Sequence, residues 1–403
     1  MKFAHIADCH IGGWREPKLR NAGTMAFEKA IDTCIDRSVD FIVLAGDLFN
    51  TSLPSVDGLK LVVKKLKDLK DKSIPVYMIA GSHDFSPSGK TMLDVLENAG
   101  LVVNVAKGED VDGKLRLFFT VDGKTNTKIT GLIGKKGGLE KTYYECLLKD
   151  ELEGADGCKI FLFHSLLSEL KPEELSNADS QALSLLPKNF TYYAGGHPHF
   201  VKDVHIEGYG RIAYPGPLFP NNFRELEALG SGGFFIVEDG RALFEPIQIY
   251  NVFPIIIESN HKTPMDITNE LLERTKGQAF NDTIVTIRVN GVLESGKPSE
   301  IDFKTVFDRL YEKSAYFVMK NTNGLVAKEF EDVKIDARDV EDVEDKLIKE
   351  NIGQIKVQGL ADEALVTKQL MRAFSLAKDE GEKVADFEKR IKEEAEKILG
   401  VGE

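Results

Sequence analysis

A chain of 403 residues, 42% hydrophobic and 29% charged, has room for two or three domains with a large core and the make-up of an ordinary globular protein. Its formal net charge of -13 argues against a uniformly basic nucleic-acid coat but leaves room for a local basic surface. Cys9, Cys34, Cys146 and Cys158 form no C-x-x-C pair and read as reduced thiols; no apolar run approaches the ~20 residues that cross a bilayer, and the opening on a core strand leaves no room for a signal peptide, so the expected compartment is cytoplasmic.

In chain order, the apolar run Phe3-Ala4-His5-Ile6-Ala7 ends on Asp8-Cys9-His10. A buried strand ending this way delivers a carboxylate and an imidazole to the carboxyl edge of a sheet, where open α/β folds hold their ligands. Residues 14–20 are polar and basic, with Arg15, Lys18 and Arg20 around an exposed-looking Trp14, and read as a solvated loop or a phosphate-contacting one. A helix over about residues 22–37 leads to the run Phe41-Ile42-Val43-Leu44, which ends at Ala45-Gly46-Asp47-Leu48-Phe49; the chain is organised around this stretch. Within residues 55–72, Leu59, Val62, Val63, Leu66 and Leu69 follow helical spacing, a stripe to be covered by the sheet of the same subunit or by a second copy of the protein. The run Val76-Tyr77-Met78-Ile79-Ala80 then ends at Gly81-Ser82-His83-Asp84, and Pro87-Ser88-Gly89-Lys90 starts a helix reaching about Asn98.

Three β-like stretches follow, near residues 101–105, 115–121 and 128–133, before Gly134-Lys135-Lys136-Gly137-Gly138, a possible backbone-plus-ammonium phosphate contact that is far from a P-loop. Ile160-Phe161-Leu162-Phe163 ends at His164, and Tyr192-Tyr193-Ala194 leads through Gly195-Gly196 to His197-Pro198-His199. Residues 200–250 read as antiparallel strands, with Pro215-Gly216-Pro217-Leu218, Asn221, Asn222 and Arg224 suited to lining an opening over a site. Strand at 253–259, helix at 265–275, strand at 283–289, helix at 301–313 and strand at 315–319 describe a compact α+β module. An acidic run including Asp336, Asp339, Glu341, Asp342, Glu344 and Asp345 fits a solvated linker. Two helical patterns close the chain: one carries Leu365, Leu370, Phe374 and Ala377, the other the narrow stripe Val384, Phe387, Ile391, Ala395 and Ile398, which docks on its own subunit or on another protein's helices.

Five strand ends thus carry Asp or His, and five of the eight histidines (His10, His83, His164, His197, His199) stand there. Such ligands suit manganese, iron or zinc, and their number exceeds the four of a tetrahedral structural site. They support two cations sharing one carboxylate, with Asp47 the natural bridge. A pair about 3.5–4 Å apart can grip a phosphodiester and lower the pKa of bound water to roughly 7, so the expected reaction is metal-assisted phosphoester hydrolysis.

The order Asp-x-His, Gly-Asp, Gly-Ser-His-Asp, His, Gly-His-x-His closely resembles the calcineurin-like metallophosphoesterases. Within them, Gly46-Asp47-Leu48-Phe49, His197-Pro198-His199, the module after residue 250 and the helical tail resemble the DNA double-strand-break repair nucleases of the Mre-eleven/SbcD family over essentially the whole chain. The resemblance implies an α/β fold: a four-layer α-β-β-α metallophosphoesterase sandwich (residues 1–250), a smaller α+β capping domain (251–335), and an acidic linker with C-terminal helices for an ATPase partner (336–403). It implies that Asp8, His10 and His199 hold one metal, that Asp47 bridges, that His164, His197 and Ser82 hold the second, and that His83 assists cleavage. It further implies manganese as cofactor, exonuclease and endonuclease action on single- and double-stranded DNA ends, a homodimer, nucleoid association, and a Rad-fifty/SbcC-type coiled-coil ATPase partner bound through Phe374, Val384, Phe387, Ile391 and Ile398. Trp14, Arg15, Lys18, Arg20 and Lys90 are the expected DNA contacts.

Two residues depart from the family pattern. Ser82 stands where an Asn normally supplies a carbonyl ligand, which predicts a weaker second site unless Asp84 compensates directly or through water, and Asn50 stands where many relatives carry His. Two other readings use the same residues. A phosphatase on this fold would carry Gly-Asp-x-x-Asp-Arg, whereas Asn50-Thr51 follow here; a non-catalytic subunit that bridges DNA ends would tolerate Ser82 and Asn50.

Overall fold

The computed structural model describes residues 1–86, 91–135, 137, 139–328, 363–378 and 384–399. In chain order it runs β1 (Lys2–Ile6), α1 (Pro17–Asp36), β2 (Phe41–Ala45), α2 (Val56–Asp71), β3 (Val76–Ile79), α3 (Met92–Asn98) and β4 (Val103–Asn104). The hairpin β5 (Gly108–Val111) and β6 (Lys114–Leu117) leads to β7 (Thr120–Val121), β8 (Lys128–Gly131), the short helices α4 (Lys141–Glu145) and α5 (Asp150–Gly154), β9 (Lys159–His164) and β10 (Tyr192–Gly196). Two hairpins, β11 (Lys202–Ile206) with β12 (Gly210–Tyr214) and β13 (Gly232–Glu238) with β14 (Arg241–Ile247), flank α6 (Phe223–Leu229). Then come β15 (Asn251–Glu258), α7 (Pro264–Arg274), β16 (Thr283–Leu293), α8 (Phe303–Glu312), β17 (Phe317–Asn321) and β18 (Leu325–Ala327).

Two six-stranded sheets, ordered β14-β13-β1-β2-β3-β4 and β11-β12-β10-β9-β8-β7, lie face to face. Side chains alternate across a strand, so β1 sends Phe3 to the inter-sheet core with Val43, Tyr77, Ile160, Leu162 and Tyr192, and sends Ala4 and Ile6 outward against α1 and α2. The stripe foreseen in residues 55–72 is covered in this way: Val62, Leu66 and Leu69 of α2 are buried on the first sheet beside Phe27 and Ile31 of α1. The outer face of the second sheet is covered by Tyr144 and Leu152 of the short helices and by Leu183 and Leu186 of the loop before β10. The layers are therefore α-β-β-α, with the fourth built largely of turns. This is the metallophosphoesterase sandwich.

Several expectations are corrected. The first helix starts at Pro17, five residues early, because proline suits the first helical position and the Glu16 side chain caps the Lys18 amide; Lys18 and Arg20 belong to the helix and not to a loop. Residues 200–250 are not one antiparallel set: β12 pairs in parallel with β10, β13 pairs antiparallel with β1, and the two hairpins extend different sheets. The segment from Pro215 to Pro220 is buried and lines no opening, since Leu218 packs into the α1 layer. The helix expected from Pro87 begins at Met92 behind a capping box of Thr91 and Asp94; Lys90 and the acidic run at 336–345 lie outside the described residues.

The closing module has β15, β16, β17 and β18 all paired in parallel. One face of its sheet, through Val285, Ile287 and Val289, packs under α7 and α8, while Ile284, Phe317 and Met319 face the α1 layer of the main body. The chain divides into two compact units, residues 1–327 and 328–403. In the second unit, helices Glu363–Phe374 and Val384–Leu399 contact one another, Ala373 is buried, and Leu376 and Ile398 line the groove between them. Phe374 remains 63% exposed, and Phe387 and Ile391 are half-buried. No described helix is long and apolar enough to cross a membrane.

Candidate metal centre

Because β1, β2 and β3 run parallel in one sheet, and β9 and β10 run parallel in the other, their carboxyl ends carry Asp8, Asp47, Ser82, His164 and His197 to a common edge. The chain leaves those strands in unusual backbone states. Asp8, His10, Asp47 and His197 all have positive φ (51°, 43°, 52° and 92°), a conformation that costs non-glycine residues about 1–3 kcal/mol each and gathers where function requires it. The approach is close as well as strained. A Cβ on Gly46 would stand 2.3 Å from His164 Nδ1, and one on Gly81 would stand 2.3 Å from the Asp47 carboxylate.

Three overlapping groups have ligand atoms within 4.8 Å of one another: Asp8, His10 and His199; His10, Asp47 and His83; and Asp8, Asp47 and His164. Asp47 Oδ2 lies 3.2 Å from His164 Nε2, 3.7 Å from His10 Nε2 and 3.4 Å from Ser82 Oγ, while its Oδ1 accepts the His83 amide at 2.7 Å. On the other side His10 Nε2 and His199 Nε2 are 3.0 Å apart, and His199 Nε2 is 3.8 Å from Asp8 Oδ1. His197 joins through its ring, whose centroid is 5.3 Å from that of His164, and through its amide, which donates to both Asp8 carboxylate oxygens.

Hydrogen bonds fix three of the imidazoles. His164 Nδ1 meets the Ala45 carbonyl at 2.8 Å and His83 Nδ1 meets the Asn50 carbonyl at 2.8 Å; a carbonyl can only accept, so Nδ1 carries the proton in both rings. His199 Nδ1 is held at 2.8 Å by Glu225, leaving Nε2 as the atom turned toward Asp8 and His10. A neutral His164 would turn its Nε2 lone pair on the Asp47 carboxylate at 3.2 Å, and His10 Nδ1 is buried with no hydrogen-bond partner among the described residues. Two imidazole nitrogens in contact and a lone pair facing a carboxylate are a donor set waiting for positive charge.

The charge states say the same. Burial pushes Asp8 up to about 6 although His164 and His199 pull it down, and burial pushes His10 down to about 3 and His197 down to about 4. Burial opposes ionisation of Asp47 too, but His164 and His10 hold its carboxyl well below the usual range. Burial likewise disfavours charge on His164, yet Asp47 outweighs it and lifts the imidazole to about 10. A proton on His164 thus stands in for a cation, and divalent metal would release it. The residues present fit two divalent cations.

The carboxylate of Asp84, the candidate to compensate for Ser82 directly or through water, is buried and accepts the amides of Leu48 (3.2 Å), Phe49 (2.9 Å) and Gly81 (3.1 Å), so it clamps the Asp47 loop to the Ser82 loop. Cys9 is buried in the core of the α1 layer.

A cavity of about 770 Å³ opens over the centre, lined by Ser82, His83, Lys135, Glu140, His197 and His199 among others. Of the expected DNA contacts, Trp14 is half-buried with its indole N–H on the Pro220 carbonyl (2.9 Å), Arg20 forks onto the Trp14 and Arg15 carbonyls, and Lys18 bonds the Tyr316 carbonyl (3.0 Å). The expected exposure of Trp14 is corrected by this contact. Arg15 is exposed. Lys135 donates to the Tyr143 hydroxyl (2.5 Å) on the cavity wall, and Lys136 lies outside the described residues. Glu225 was not foreseen. The available signal was the Asn-x-x-Glu spacing from Asn222, a helix-start pattern that gives no hint of a histidine partner.

The calcineurin-like phosphoesterase family model matches residues 1–200. Among curated proteins, the DNA double-strand break repair protein Mre11 of Archaeoglobus fulgidus is 28% identical, the match covering 98% of this chain and 95% of that protein. The Mre11 protein of Methanocaldococcus jannaschii is 27% identical over 87% of this chain and 88% of its own length, and that of Methanopyrus kandleri 30% identical over 60% and 54%.

Proposed function

The chain belongs to the Mre11 family of calcineurin-like phosphoesterases, and we propose on that premise that it is a manganese-dependent exonuclease and endonuclease that trims DNA ends. The observation that carries this reading is the meeting of Asp8, His10, Asp47, His83, His164 and His199 from two sheets in three overlapping groups, with Asp8 and Asp47 in two groups each. In this reading Asp8, His10 and His199 hold one cation, Ser82, His164 and His197 the other, and Asp47 serves both. Held by these residues, two divalent cations would supply Lewis-acid contacts to a phosphodiester and lower the pKa of water to roughly 7.

The protein's own groups do the rest. Asp8 and Asp47 supply compensating negative charge, and the main-chain bonds at His164 keep its ring from turning away. His83, with Nδ1–H committed to Asn50, lines the cavity, where a second proton taken up on Nε2 would be passed to the leaving oxygen or would steady charge on the phosphate. Lys135 on the cavity wall and the exposed Arg15 attract the phosphate backbone without reading bases. The proposal extends to Lys18, Arg20 and Trp14 as further DNA contacts, and to Lys90, which lies outside the described residues.

Residues 1–250 act as the nuclease domain, 251–335 as its cap and 336–403 as the tether to a Rad-fifty-type coiled-coil ATPase, with Phe374, Val384, Phe387, Ile391 and Ile398 as the contact. The exposed Phe374 supports that assignment. The protein works as a homodimer in the cytoplasm, at the nucleoid. The test compares manganese-dependent turnover of duplex DNA and a phosphoserine peptide by the wild-type chain and by His83→Ala. Cleavage of DNA, lost in His83→Ala without loss of fold, is expected; turnover of the peptide alone would favour a phosphatase. One observation favours a second reading. Beside His164, His197 and Asp47, the second cation has the short hydroxyl of Ser82 in place of a carbonyl, and binding without cleavage of any DNA would mark a structural subunit that bridges ends.

A further inference from the structure

The helix α6 and its approach carry three contacts that the metal chemistry does not account for. Glu225, at the third helical position, accepts His199 Nδ1–H on Oε1 at 2.8 Å and the Asn221 amide on Oε2 at 2.7 Å. Two residues on, Glu227 takes a forked pair of bonds from Arg288 of β16, at 2.9 and 2.6 Å, and the same guanidinium lies 5.1 Å from the centre of the Phe223 ring. Immediately before α6, the Pro220 carbonyl accepts the Trp14 indole, and Trp14 follows His10 by four residues. One short helix therefore touches a histidine of the metal centre at one point and the closing β-module at another.

We propose that Glu225 is a positioning residue for the metal centre, holding His199 with Nε2 toward Asp8 and His10, and that the Arg288–Glu227 pair ties this grip to the closing module. The inference rests on the metal centre proposed above. A ring held only at Cβ rotates; a carboxylate on Nδ1–H selects the tautomer, fixes the ring plane and raises the basicity of the other nitrogen. Both Glu225 oxygens are occupied, so the carboxylate itself has little freedom. The alternative is that Glu225 merely starts α6, as the Asn222 cap would suggest.

The experiment titrates manganese into the full chain, by calorimetry and by the spin-resonance signal of free Mn2+, for wild type, Glu225→Gln, Glu225→Ala and Arg288→Met. Removing such a partner typically weakens metal binding by about 10–100-fold. Glu225→Ala is expected to lose that much at one of the two manganese sites and nothing at the other; Glu225→Gln, which keeps an acceptor but no charge, should lose less. Arg288→Met, which leaves Glu225 untouched, is expected to weaken the same site severalfold. The downfield proton resonance of His199 Nδ1–H should vanish in Glu225→Ala. Unchanged manganese constants in Glu225→Ala, with only the metal-free melting temperature lowered, would overturn the proposal. If that variant fails to fold, wild-type constants in both Glu225→Gln and Arg288→Met overturn it equally. A wild-type chain that takes up no manganese would instead remove the metal centre, and this inference with it.

Discussion

In the proposed centre, the half assigned to Asp8, His10 and His199 and the half assigned to Ser82, His164 and His197 differ in what stands behind their ligands. In the first, His199 is braced by a side chain, Glu225, on a helix that also holds the closing module. In the second, His164 is braced by a main-chain carbonyl of β2, and the loops bearing Asp47 and Ser82 are joined by the buried Asp84. The second half is thus set by the sheet and its immediate loops, and the first depends on elements more than twenty residues further along the chain. The difference teaches that the two cations need not respond alike to the same disturbance. The second half pairs rigid support with a weak hydroxyl ligand, while the first has full donors on a support that can be loosened from a distance.

The largest effect comes from the residue both halves share. Asp47→Ala removes the carboxylate that approaches His10, His164 and Ser82 and also strands the His83 amide. Uptake of both cations and all cleavage above background are expected to be lost in one step, read by manganese titration and a nuclease assay on duplex ends. Retention of one tight site would mean that the halves are independent and that Asp47 is no bridge.

Asp84→Ala comes next and acts most on the second half, whose Ser82 loop it ties to the Asp47 loop. Three buried amides lose their acceptor, and a buried group left unpaired costs about 1–3 kcal/mol, so the unfolding free energy should fall by roughly 3 kcal/mol or more in urea. Manganese binding at the Ser82 side should weaken with it, by more than at the site containing His199, which shares only Asp47 with the clamped loops. A wild-type urea midpoint would show that the clamp carries no weight.

Ser82→Asn should make the halves more alike. The wild-type chain is expected to bind two manganese ions unequally, and a carbonyl ligand in place of the hydroxyl should tighten the weaker one about tenfold, ~1.4 kcal/mol. Two equally tight sites in the wild-type chain would contradict the premise.

Much of this was legible in the sequence because it was local. Apolar runs ending on Asp or His identify strands and the residues at their ends with no knowledge of pairing, and Val76–Ile79 and Lys159–His164 lie where their patterns put them. What stayed hidden was pairing between distant segments. Nothing in the chain order says that the hairpins after His199 extend different sheets, or that Lys18 and Arg20 would be drawn onto carbonyls. Asp84 misled for a related reason. Its neighbours Ser82 and His83 point to the metal, but the turn that delivers them rotates the next carboxylate onto the amides of the adjoining loop.

The smallest effect at neutral pH concerns the seam beneath both halves. His5 lies on the inner face of β1, three residues before Asp8, and its Nδ1 meets the hydroxyl of Tyr192 in β10 at 2.9 Å, linking the strand that leads to Asp8 and His10 with the one that leads to His197 and His199. Burial pushes this imidazole down to about 3, from an ordinary value near 6.5 in the unfolded chain. Between those two values the unfolded state binds a proton that the folded state refuses, so stability is complete above pH ~6.5 and declines as pH falls toward 3. One such group adds at most ~1.4 kcal/mol per pH unit to that decline. In metal-free protein, His5→Phe should therefore flatten the acid limb of a stability–pH curve measured by urea unfolding. A loss of stability that is the same at pH 7 and pH 4.5 would mean that packing against Tyr192, not the refused proton, is what His5 contributes. If instead the variant's acid limb is flattened while both manganese constants at pH 7 hold, the seam serves both halves equally, and their asymmetry originates above it, in Glu225 and Ser82.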